Sequence, residues 1–153
     1  MINEKDRARF LEEADPIRKA KALPKYGEQQ LILMREELRK ERFTECLALL
    51  EQYRDAVKTS FTKLKATGRD AERKPDGFRQ MQIHLRQSVH HLGPIVQAVP
   101  FELRRPFEDI RRELEAIDRE LLTMLFPPKT GAPCAVRSHA APSASRSCST
   151  PRA

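Results

Sequence analysis

Tryptophan is absent from this chain of 153 residues, and glycine is scarce at five. The β-branched clusters bounded by turn residues that mark strands are missing as well. With Leu, Arg, Glu, Lys and Ala abundant, those absences disfavour a sheet and favour helices. The longest apolar runs are only a few residues, which excludes a membrane-spanning helix. The opening MINEKDRARF is charged where a secretory leader would turn apolar. Three cysteines, Cys46, Cys134 and Cys148, do not make a disulfide framework. A reducing, cytoplasmic setting is the expectation.

Catalytic and metal-binding motifs are equally lacking. The chain has no Gly-rich phosphate loop, no Gly-x-Ser-x-Gly elbow, no His-Glu-x-x-His and no paired Cys-x-x-Cys. His84 and His91 are seven apart, two helical turns or about 10.5 Å along the axis, too far to share one ion. Three residues before His84, His90 and His91 stand Met81, Gln87 and Ser88, so the Glu-x-x-His element of di-iron bundles is missing. Between Phe78 and Val99 there is no carboxylate at all. The histidines therefore read as flanking or surface residues, and Cys46, near an apolar stripe, as a small core hydrophobe. No catalytic residue, metal ligand or cofactor is predicted.

What the chain does have is helical periodicity. Its clearest long stretch is Phe43 to Ala66, where Phe43, Leu50, Val57 and Leu64 recur every seven residues beside Leu47, Tyr53 and Phe61. No proline or glycine interrupts it, and it should stop at Thr67-Gly68, where glycine can take a left-handed conformation. Upstream, Asn3 caps a helix over 3–14 with Phe10, Leu11 and Ala14 facing inward. Asp15-Pro16 opens a short helix to about Leu23, unless the first helix continues through it with a kink. Pro24 repeats that punctuation before a helix from about Gly27 to Glu41. Residues 39–43 carry neither glycine nor proline; a tight turn is preferred there, because an unbroken rod from 27 to 66 would be about 60 Å long.

Downstream, the loop GRDAERKPDG leads to a helix opened by Pro75 or Asp76, with Phe78, Met81, Leu85, Val89 and Leu92 as its stripe. Gly93-Pro94 should kink or break it before the pattern resumes to Val99. The last helix places Leu103, Phe107, Ile110, Leu114, Ile117, Leu121 and Met124 at alternating spacings of four and three, with Pro106 in its first turn. Pro127-Pro128 ends it. From there on the chain is small, polar and proline-bearing, with no acidic residue, and cannot bury enough apolar surface to order itself.

The expectation is thus an all-α, antiparallel up-and-down bundle of about five helices over residues 1–126, followed by a disordered tail over 127–153. The net charge of +7 is unevenly spread: residues 58–86 hold eight basic and three acidic side chains, while residues 1–57 balance. Lys63, Lys65, Arg69, Arg73, Lys74 and Arg79 would gather at one end of the bundle and form an anion-binding patch. No aromatic residues interleave them for stacking on bases. Three functions follow in order of preference. The first is a non-catalytic interaction or scaffold protein, with a protein partner or a second copy docked on a helix stripe. The second is an anion or nucleic-acid binder using the patch from Lys58 to Arg86. The third is a helical-bundle enzyme without a nameable catalytic residue.

Overall fold

The computed structural model describes residues 3–128, which form an all-α bundle of five helices: α1 (Glu4–Glu12), α2 (Pro16–Arg39), α3 (Phe43–Ala66), α4 (Phe78–Ala98) and α5 (Phe101–Leu125). The tail expected without structure lies, from residue 129, outside the described residues. Among those described, no helix is long and apolar enough to cross a membrane.

Three prolines expected to interrupt or open helices sit inside them. Pro24 lies within α2, Pro94 within α4 and Pro106 within α5. The separate short helix ending at Leu23 therefore does not exist, and α4 does not break at Gly93-Pro94. A proline removes one ladder bond and crowds the preceding turn, at about 3 kcal/mol. Burial of Leu23 and Tyr26 around Pro24, and of Leu92, Ile95 and Val96 around Pro94, offsets that cost.

The turn at 40–42 replaces the long rod, as the sequence predicts, but by an unusual route. Arg42 N–H donates to the Glu37 carbonyl at 2.9 Å and Glu41 N–H to the Leu38 carbonyl at 3.0 Å, the two bonds of a Schellman cap. The left-handed position that glycine normally fills is held by Glu41, at φ 59°. At the other end of α3, Gly68 takes φ 70° at the predicted stop, and Thr67 Oγ1 donates to the Leu64 carbonyl at 2.7 Å.

The helices assemble as two hairpins laid side by side. α2 packs on α3 and α4, α5 packs on α3 and α4, and α1 rests on α2. Within α2–α3 the contacts step in opposite directions, Gln30 with Leu49 and Met34 with Cys46. Between the hairpins they step the same way: Lys58 and Arg54 meet Glu113, and Lys65 meets Glu120. α4 is therefore not a lateral neighbour of α3; the two meet across the core, where Tyr53 reaches His84. Arg104 closes the α4–α5 turn by donating to the carbonyls of Val99 at 3.0 Å and Gln97 at 3.1 Å.

α1 buries one residue. Phe10 is buried and stacks on Tyr26 at a centroid distance of 4.4 Å, while Leu11 and Ala14, expected inward, are exposed. A helix of nine residues offers its neighbour only two or three turns, and the ring of Phe10 occupies the contact.

Candidate functional site

Two groups of polar side chains stand out, one in the core and one at the end of the bundle. The first arises where α2, α3 and α4 converge. His84 is 4% exposed, a correction to its reading as a flanking or surface residue. Its Nε2 lies 2.8 Å from the Tyr53 hydroxyl and 3.2 Å from Ser88 Oγ, and both of these partners are buried too. Ser88 is one turn along from His84 on the same face of α4; Tyr53 reaches across from α3. With no carboxylate against the ring, the imidazole has nothing to stabilise a positive charge, and burial pushes its pKa down to about 4. The neutral ring and the Tyr53 hydroxyl share a hydrogen bond, and burial holds that phenol well above its ordinary range.

Gly27 makes room for this arrangement. A Cβ at position 27 would overlap the His84 ring and sit 3.0 Å from Tyr53 Cε2. The sequence suggests Gly27 as a helix start; instead it sits in mid-helix because another side chain needs its space. His84 and Ser88 share the spacing of the stripe around Met81 and Leu85, which was the one available signal of burial. That Tyr53 and Gly27 face them was not legible, because it depends on how the two hairpins register.

The second group is the loop end. Lys63 and Lys65 close α3, Arg69, Arg73 and Lys74 stand on the loop 67–77, and Arg79 lies in the first turn of α4; all six are exposed. Two of them are already neutralised. Lys65 pairs with Glu120 at 3.1 Å and covers the Phe61 ring at 4.5 Å, and Arg73 pairs with Asp70 at 3.7 Å. Lys58 is tied to Glu113, and Lys21 draws off Asp76 at 3.8 Å. Among the described residues Lys63, Arg69, Lys74 and Arg79 make no ion pair.

Beside Arg79 the surface sinks into a groove of about 480 Å³ between the loop, the start of α4 and the end of α5. Pro75, Ile83, Leu125 and Phe126 give it an apolar floor and wall. Ile83 is 45% exposed and Phe126 73%. Gln82, also in the groove, is fixed by donating to Asp118 Oδ1 at 2.9 Å. Sequence reasoning located the basic side chains but missed the groove, since Ile83 and Phe126 are 43 positions apart.

The remaining candidates are structural. Cys46 is fully buried, donates to the Met34 carbonyl at 3.5 Å, and has its thiol pushed up to about 11 by burial. Lys19, nearly buried, lies over the Phe10 ring at 4.9 Å and donates to the Leu11 carbonyl at the end of α1; burial and nearby Lys63 hold its pKa below the ordinary range. No three His, Cys, Asp or Glu side chains among the described residues stand where they could hold a metal ion. No protein-family model matches this chain, and neither does any curated protein or solved structure.

Proposed function

We propose that this protein is a non-catalytic interaction module that works through its outer surface. The observation that carries the reading is the exposure of large apolar side chains beside a formed groove, Ile83 and Phe126. Leaving such groups in water forfeits burial energy of about 25 cal/mol per Å², and surfaces that do so together are commonly contact surfaces. The grouping of imidazole, phenol and hydroxyl that could suggest chemistry is sealed by α2, α3 and α4. His84, Tyr53 and Ser88 cannot meet a substrate without opening the core. Sedimentation of the purified chain, combined with affinity capture, tests the reading. A retained protein partner or a higher oligomer is expected; a strict monomer that retains nothing would overturn it.

The second reading, an anion or nucleic-acid binder, draws support from Lys63, Arg69, Lys74 and Arg79, which have no ion-pair partner among the described residues. It is weaker because Asp70, Asp76, Glu120 and Glu113 offset their neighbours. Binding to RNA or DNA that fell steeply with added salt, and fell again in a triple Arg69→Ala, Arg73→Ala, Lys74→Ala variant, would establish it. Binding indifferent to both would remove it.

A further inference from the structure

We infer that α1 is a latch: it leaves the bundle as one unit while α2–α5 stay folded, and its departure uncovers the Tyr26 ring and the Lys19 ammonium on α2. The inference is independent of the interaction reading above. The connection between the two helices leaves α1 free to move. Its ladder ends where Glu13 N–H donates to the Phe10 carbonyl at 3.3 Å, and Glu13 and Asp15 are extended, with ψ 121° and 119°. Pro16 then opens α2 with no N–H to offer, and disfavours a helical conformation in the residue before it. Among the described residues no backbone hydrogen bond joins α1 to α2, so α1 can leave without unwinding its neighbour.

Side-chain contacts are as sparse. α1 buries Phe10 alone, stacked on Tyr26, and Leu11 beside it is exposed. Grooves flank that contact on both sides. One of about 320 Å³ runs along Asp6, Arg9 and Glu13, and one of about 440 Å³ lies between Arg7 and Leu11 and the α3 residues Gln52 and Thr59. The helix therefore touches the bundle along one line. Its polar ties are weak: Lys25 meets Asp6 at 3.6 Å with the lysine exposed, and Lys19 donates to the Leu11 carbonyl at 3.4 Å, near the limit of a hydrogen bond. Closure also keeps the Lys19 ammonium out of water, which opposes the gain from burying Phe10. A free helix of nine residues is too short to persist in water, so leaving the seat and losing the helix are one event.

The test follows the full chain by hydrogen–deuterium exchange and by acylation of its lysines with an amine-reactive ester, both read by mass spectrometry. In the wild type, α1 amides should exchange on the order of a hundredfold faster than those of α3, and low urea should scarcely change their rate, since it chiefly accelerates exchange that needs global opening. Phe10→Ala should speed both α1 exchange and Lys19 acylation on the order of tenfold or more, while the exposed Lys21 and Lys25 react as before. Exchange in α3 and thiol labelling of the buried Cys46 should stay slow. α1 amides as slow as those of α3, or a Phe10→Ala chain in which α3 loses protection by the same factor as α1, would make α1 part of one cooperative core and overturn the inference. Fast α1 exchange with Lys19 acylation unmoved by Phe10→Ala would show a helix that frays in its seat, and would overturn it too.

Discussion

Replacing Gly27 by alanine separates this structure from any account based on propensity. Inside an ordinary helix the change stabilises by about 1 kcal/mol, because alanine is the better helix former. Here the new methyl would overlap the His84 imidazole and stand 3.0 Å from Tyr53. The ring has nowhere to retreat, since it is itself buried and its Nε2 is engaged by Tyr53 and Ser88. Overpacking a closed core costs about 1–3 kcal/mol. Displacing the ring would also leave the Tyr53 hydroxyl unpaired in the interior, at a further ~1–3 kcal/mol. After subtracting the propensity gain, Gly27→Ala should destabilise by about 1–5 kcal/mol. Urea unfolding followed by circular dichroism measures it directly. The same substitution in a His84→Ala background should recover the propensity gain, because the obstructing ring is gone. A Gly27→Ala protein as stable as the wild type, or more stable, would refute the close approach of α2 and α4 at this point.

Two further outcomes follow from single residues. Glu41→Gly should raise stability by about 1 kcal/mol, measured as an increased urea midpoint, because it relieves a left-handed conformation at φ 59°; an unchanged or lowered midpoint would argue against that turn geometry. Lowering the pH should weaken the fold through His84. Its folded pKa, about 4, lies below the ordinary 6.5, so the unfolded chain takes up the proton first. The contribution is full above about pH 6.5 and is lost progressively down to about pH 4, with a maximum of about 3 kcal/mol. A His84→Gln variant should lack this decline, and an identical pH profile would show that other groups cause it.

How much the sequence disclosed depended on how local each feature is. α3 carries its own period and its own stop, so its limits at Phe43 and Ala66 were legible to the residue. The buried stripe of α5 was legible too, although the helix begins at Phe101 rather than near Leu103, which is exposed, and Leu125 rather than Met124 is the deeper residue at its end. Prolines misled because their cost is local while the compensating burial is not. Gly27 and His84 show the limit most clearly. Each looks like a boundary or surface residue in its own helix, and only their juxtaposition across α2 and α4 gives either its role. The basic end was visible as a charge count, whereas its ion pairs with Glu120 and Lys21, and the apolar groove beside it, arise from residues distant in the chain.

Hydrogen–deuterium exchange of the full chain, with and without a protein it retains in affinity capture, tests most directly the claim that this bundle acts at its surface and not in its core. Slowed exchange confined to the loop end, over residues 71–83 and the last turn of α5, is the predicted result. Exchange that changed instead around Tyr53 and His84 would show the buried centre opening to a ligand and would contradict the account.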